Sequence, residues 1–205
     1  MNLYADTGNV IAVRRRLDWM GHTCDVKPVH PGEPFDFTGV DMVIGGGGPD
    51  ASQRIVSQDL ALRAESVHAA LRQGVPMLLV CGLYQLFGTS FATPDGDVLP
   101  GIGIFDAVSV SGSVRCIGDI VVSSPHGQLT GYENHAGVTH LGSRQAPLGR
   151  VLRGKGNNSR GRTEGAVTGS AIGTYLHGPV LPRNPALADH MIHQAIRRHE
   201  LSARL

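Results

Sequence analysis

Apolar residues recur at helical spacing from Gly8 to Met20, and Gly21 supplies a natural stop for that helix. A short strand is predicted over Cys24–Val29, followed by a loop through Pro28, Pro31 and Pro34. Val40–Ile44 reads as a buried strand closed by Gly45-Gly46-Gly47-Gly48. Residues 51–73 carry a long amphipathic pattern that ends at Gly74. Val75–Val80 is a continuous apolar run, as expected of an interior parallel strand, and a second short helix is predicted directly after Cys81. Beyond Gly88 the pattern changes to β-like runs, Ile102–Val110, Val114–Val122 and Ala171–Leu176, between Gly, Ser and Asn turns. The segment from Pro185 to Glu200 reads as a helix with Asn184 as N-cap and Pro185 in the first turn. Strand–helix alternation followed by a β-rich meander predicts an α/β fold with an added β layer, residues 1–205 forming a single domain.

Composition narrows what such a domain does. Its 205 residues can bury one substantial core. Eighteen basic against 17 acidic side chains, with no Lys/Arg run, argue against nucleic acid as a partner. No apolar stretch reaches the roughly 18 residues of a membrane span, so an integral membrane protein is not expected. The start, Met1-Asn2-Leu3-Tyr4-Ala5-Asp6, lacks the basic and apolar blocks of a secretory leader. Cys24, Cys81 and Cys116 are a sparse, odd set that suits a reducing compartment, and no two have metal-ligand spacing. The expectation is a cytoplasmic protein without a bound metal.

Val80-Cys81-Gly82-Leu83-Tyr84-Gln85 carries the clearest chemistry. An apolar strand runs into a cysteine and a helix begins at once, the layout of a nucleophile elbow. Amides at the helix start favour thiolate over thiol. Gly82 allows a sharp turn and offers an N–H to a developing oxyanion. The plain alternative is that Cys81 is a small buried hydrophobe, and the residues alone leave the two level. Ten histidines compete to be its base. His177 follows the apolar run Ile172–Leu176 and precedes Gly178-Pro179, where α/β folds gather chemistry. His135, in Gly131-Tyr132-Glu133-Asn134-His135-Ala136-Gly137, is the competitor.

Cys81-Gly82-Leu83-Tyr84-Gln85 and Gly173-Thr174-Tyr175-Leu176-His177-Gly178 resemble the two signature turns of class I glutamine amidotransferases of the cobyric acid synthase type. Four further segments resemble one branch, the glutaminase subunits of lipid II isoglutaminyl synthases. They are Leu3–Asn9, Gly45–Asp50, Gly131–Gly137, and Lys155–Asn158 with Glu164-Gly165. The resemblance runs nearly end to end. It implies a mostly parallel central sheet flanked by helices, and hydrolysis of L-glutamine through a thioester on Cys81 with His177 as acid and base. It implies amides of Gly82 and Gly47 around the oxyanion, Arg115 on the substrate α-carboxylate, and no cofactor. The rival reading of the glycine run as a phosphate loop lacks a following Gly-Lys-Ser/Thr. The implied partner is a MurT-type Mur ligase subunit that uses ATP to amidate D-glutamate of the lipid II stem peptide, forming a heterodimer. Alternatives are a glutaminase of the same fold serving another synthetase, such as a cobyrinate amidase, and an idle scaffold that only stabilises a ligase.

Three positions depart from the family pattern. Leu83 replaces a frequent second glycine of the elbow. The chain begins at the Leu3–Asn9 motif, so a shortened or missing first strand is expected. Pro179 stands where class I glutaminases usually carry an acid, two residues after the histidine. The expectation is that the partner subunit supplies this acid, with Glu133 and Glu164 as internal alternatives.

Overall fold

The computed structural model describes residues 6–202. The order is α1 (Thr7–Trp19), β1 (Val43–Gly45), α2 (Asp50–Arg72), β2 (Met77–Val80), α3 (Gly82–Leu86), β3 (Ser90–Ala92) and β4 (Val98–Pro100). Then come β5 (Ala107–Ser124), β6 (Gly127–Leu141), β7 (Gly149–Arg153), β8 (Thr163–Glu164), β9 (Ala166–Thr168), β10 (Ala171–Thr174), α4 (Val180–Arg183) and α5 (Pro185–Ser202). Leu3, Tyr4 and Ala5, and with them the expected shortened first strand, lie outside the described residues.

Two sheets share the chain. The first runs β1-β2-β10-β9, with β1, β2 and β10 mutually parallel and β9 antiparallel to β10. The second runs β4-β3-β5-β7-β8, with β6 paired along β5 in a long hairpin, and is the added β layer. Side chains of β2 alternate between two cores, as strand geometry requires. Met77 and Leu79 join Val67, Ala70, Tyr84, Phe105 and Tyr175, beneath α2. Leu78 and Val80 join Val13, Met191 and Ile192, beneath α1 and α5. All four residues of β2 are fully buried, which accounts for the unbroken apolar run. Among the described residues no helix is long and apolar enough to cross a membrane.

Several elements differ from the sequence expectation. Cys24–Val29 is irregular chain with Val26 and Val29 exposed, because no neighbouring strand pairs with it and Pro28 donates no amide. Of the expected Val40–Ile44 strand only Val43 and Ile44 form ladder, which continues one residue further to Gly45. Ile102–Phe105 is a loop that buries Ile104 and Phe105, and the runs around Val108 and Val114–Val122 merge into the single strand β5, bulged between Ser111 and Cys116. The Asn184 side chain does not cap α5. Its carboxamide instead pairs with both backbone groups of Thr130 and donates to the Val180 carbonyl, tying the helix pair α4–α5 to β6.

Gly173 shows how tightly the central sheet is filled. A Cβ there would run into the Tyr84 ring and lie 2.8 Å from Phe105 Cε2, and both rings are fully buried. Gly173→Ala is expected to destabilise the fold by about 1–3 kcal/mol, read from urea unfolding. An unchanged midpoint would show that Tyr84 yields without cost.

Candidate active site

Strand register decides which chain ends meet. Gly45 of β1 and Gly173 of β10 both lie opposite Leu79, and Thr174 lies opposite Val80. The glycine run, Cys81 and the Tyr175–His177 segment therefore leave the sheet at one edge, at the carboxyl ends of parallel strands.

Cys81 has φ 54° and ψ −106°, outside the regions side-chain-bearing residues prefer, which costs roughly 1–3 kcal/mol. The turn is held from both sides. The Cys81 N–H donates to the Thr174 carbonyl at 2.8 Å, and the Cys81 carbonyl accepts from Gln85 N–H at 3.0 Å, starting α3 immediately. The elbow expected from the sequence is thus present, with Gly82 as the first residue of the helix. Leu83 fits there because Gly45 has no side chain: its methyl occupies the space a Gly45 Cβ would need.

Gly47 lies between cysteine and histidine. A Cβ built on it would stand 3.2 Å from Cys81 Cβ, 3.6 Å from Cys81 Sγ and 3.4 Å from His177 Cε1. A side chain there would crowd the cysteine and touch the imidazole, so the glycine lets its backbone run between them. His177 is buried, and its backbone N–H and carbonyl pair with Tyr132 at 2.9 and 3.1 Å. The structure therefore brings Cys81, Gly82, Gly47 and His177 together. The Gly47 N–H, however, donates to Asp6 Oδ2 at 2.8 Å, so the amide expected at the oxyanion is engaged in this arrangement.

Asp6 is the residue that sequence reasoning passed over. It is 4% exposed, and its Oδ1 lies 3.5 Å from His177 Nδ1. Its one sequence signal was a carboxylate inside the Leu3–Asn9 motif immediately before a helix. Glu133 and Glu164, the internal alternatives, are committed elsewhere. Glu133 accepts the N–H groups of Lys155 and Gly156. Glu164 accepts the Thr174 hydroxyl and the Tyr175 N–H.

The β6 segment Gly131–Gly137 supports the Tyr175–His177 segment. His135 stacks flat on Tyr175 with ring centroids 3.7 Å apart, and its Nδ1 pairs with the Gly137 carbonyl. Burial, with the charges of His177 and Arg115 adding, pushes its pKa down to about 4 against the Gly137 bond. His135 is therefore neutral, and as the Gly137 carbonyl can only accept, Nδ1 carries the proton. Arg115 sits exposed at the end of the bulged stretch of β5, its Nε donating to Asn134 Oδ1 at 2.5 Å. Gln85 does not face open space. Its amide donates to Tyr175 and accepts from Gln53, continuing to Thr139 and Ser109 as a buried polar chain beneath the elbow. Gly137 leaves room for that amide. Among the described residues no cluster of three or more His, Cys, Asp or Glu could hold a metal ion.

Burial gives Glu164 a measurable signature. Its pKa is raised from 4.5 to about 7, mainly by desolvation and against the bonds from Tyr175 and Thr174. The unfolded chain ionises this group above its ordinary value, whereas the fold keeps it protonated to about 7. Its contribution is therefore fully present below pH 4.5 and is lost as pH rises through 7. Between pH 4.5 and 8 the stability of the parent relative to Glu164→Gln should fall by about 3 kcal/mol, measured by denaturant unfolding across that range. A constant difference would contradict the burial argument.

Comparisons with known proteins agree with this geometry. The profile of the CobB/CobQ-like glutamine amidotransferase domain matches residues 1–185. The chain is 37% identical over 199 residues to the Staphylococcus aureus (strain N315) lipid II isoglutaminyl synthase (glutamine-hydrolyzing) subunit GatD, covering 97% of this chain and 81% of that protein. It is 33% identical to the same subunit of Streptococcus pneumoniae (strain ATCC BAA-255 / R6), covering 97% and 77%. A crystal structure of a glutamine amidotransferase superposes with a TM-score of 0.60 at 15% identity, over 90% of this chain and 93% of that one.

Proposed function

Because the chain belongs to the CobB/CobQ-like glutamine amidotransferase family, we propose that it is the glutaminase subunit of a lipid II isoglutaminyl synthase. The Cys81 thiolate attacks the side-chain amide carbon of L-glutamine, forming a C–S bond and a tetrahedral oxyanion. His177 delivers a proton to the departing nitrogen, the C–N bond breaks, and ammonia leaves a γ-glutamyl thioester. His177 then takes a proton from water, whose oxygen displaces the thiolate to give glutamate. The Gly82 N–H serves the oxyanion, and the Gly47 N–H joins it only by leaving Asp6. Arg115 pairs with the substrate α-carboxylate, for which a planar guanidinium offers two parallel donors. The ammonia passes to a MurT-type, ATP-using ligase subunit that amidates the α-carboxyl of D-glutamate in the lipid II stem peptide.

The observation that carries the reading is the strained Cys81 turn facing His177 across the bare backbone of Gly47. A reactive side chain on a left-handed elbow, with an imidazole on the adjoining strand end, is a costly arrangement that an idle scaffold has no use for. Similarity over 97% of the chain to two glutaminase subunits supports this partner over a cobyrinate-type synthetase.

The test reconstitutes the chain with its ligase. Cys81→Ala should reduce glutamine-dependent amidation by on the order of 10³-fold or more, while added ammonium chloride restores the parent rate. Undiminished amidation from glutamine would identify a scaffold. Failure of ammonium to rescue would show that the variant damages the ligase rather than the nitrogen supply.

A further inference from the structure

We propose that Asn134 aims the Arg115 guanidinium at the α-carboxylate of glutamine, acting from β6 on a side chain that β5 leaves unplaced; the assignment rests on the glutaminase reading above. The ladder between β5 and β6 is interrupted where Arg115 sits. Ser111 lies opposite Gly137 and Cys116 opposite His135, so residues 112–115 stand outside the ladder and across from Ala136. A bulge re-aims side chains next to a site, but its residues have no register to fix them. Gly112 makes this one possible: a Cβ there would stand 2.8 Å from the Ala136 carbonyl oxygen and 2.9 Å from Val138 Cγ2. Arg115 ends the bulged stretch, is exposed, and has a long side chain with much rotamer freedom to lose.

Asn134 supplies the fixing that the bulge lacks. Arg115 Nε donates to Asn134 Oδ1 at 2.5 Å, and Arg115 Nη2 donates to the Asn134 carbonyl at 3.4 Å. Both contacts lie on the Nε–Nη2 edge, so they set the plane of the guanidinium as well as its position. That plane matters, because a planar fork of donors grips a carboxylate in bidentate fashion only when the two groups are aligned.

Neighbours along β6 hold Asn134 in turn. Glu133 is buried and accepts the N–H groups of Lys155 and Gly156, while His135 is buried and stacked on Tyr175. Alternation along the strand turns residue 134 to the other face, where exposed Ile117 lies opposite it. Tyr132, two residues earlier, pairs through its backbone with His177. After burial, the charges of His177 and Arg115 both lower the His135 pKa, so the two lie within electrostatic reach of one ring. A single strand thereby holds the base segment and the arginine at a set separation, as a substrate gripped at both ends requires.

Asn134 acts through Arg115 and is a positioning residue, so its loss should appear in KM rather than in kcat. Glutamine hydrolysis is measured for the complex with the ligase subunit, and Cys81 alkylation by iodoacetamide is timed in parallel. Iodoacetamide carries an amide but no carboxylate, so it reports on the thiol independently of the arginine. Asn134→Leu keeps the size of the side chain and removes the acceptor. It is expected to raise KM about tenfold or more, with kcat within about threefold and alkylation at the parent rate. Arg115→Ala should raise KM at least as far. Adding Asn134→Leu to it should change KM by less than about twofold, because the asparagine then has nothing to aim. If Asn134→Leu does not accumulate as folded protein, Asn134→Ala takes its place in both arms.

A near-parent KM for the Asn134 variant beside a raised KM for Arg115→Ala would overturn the positioning role and leave the glutaminase reading standing. Multiplying effects of the two substitutions would do the same, since Asn134 would then act on its own. A fall in kcat and in alkylation with KM retained would group Asn134 with the thiol and the base, and also overturn the proposal. A near-parent KM for Arg115→Ala removes the carboxylate site, and the role of Asn134 with it. Glutamine hydrolysis that survives Cys81→Ala would sink the glutaminase reading itself.

Discussion

Three short parallel strands, each only three or four residues long, must end in step for any of this chemistry to be assembled. Side chains alternate between two apolar cores, so a slip of one residue along β2 would exchange Met77 and Leu79 with Leu78 and Val80. The close fit of Gly173 to Tyr84 and Phe105 resists that slip. The hydrogen bond from Cys81 to Thr174 extends the same register one residue beyond the ladder. Strain at the elbow is thus borne by the best-buried part of the molecule, and the thiol-bearing residue inherits the sheet's rigidity.

Beneath the elbow lies a polar layer rather than a second apolar one. Gln53, Gln85, Tyr175, Thr139 and Ser109 form a chain, and Asn157 links Tyr84 to the backbone around Gly165. Networks of this kind fix geometry because each member is costly to leave unpaired in a low dielectric. The charges near the base are kept few. His135 is neutral, Glu164 holds its proton to about pH 7, and Glu133 is raised by burial against two backbone donors.

What could be read from the chain beforehand was whatever is local. The elbow shows itself as an apolar run, a cysteine and a glycine in succession, and His177 as a histidine at a strand end. The helices α1, α2 and α5 were visible from periodicity, with ends within about two residues. Long-range placement was not visible. Nothing near Asp6 in sequence says that it meets a residue 171 positions later, and Glu133 gave no sign that two backbone amides would claim it. The Gly131–Gly137 segment could be noticed but not assigned, since its residues act on Tyr175, Leu176 and His177 from a neighbouring element. The misreadings have the same origin. Cys24–Val29 has the composition of a strand without a neighbour to pair with, and Asn184 has the makings of a cap but binds Thr130.

Asn9 and Leu181 are joined across 172 positions, and Gly8 meets Pro179 across nearly as many. Contacts of that span cannot exist on the ribosome until the chain has been made through α4. Loop closure of this length also adds an entropic cost that only the finished fold offsets. The Cys81 turn can form much earlier, from α2, β2 and α3, but its β10 acceptor and its base arrive only with the last third of the chain. The Cys81 turn consequently gains its Thr174 hydrogen bond and its neighbour His177 only as the chain nears completion, so the geometry of this sheet edge is set last.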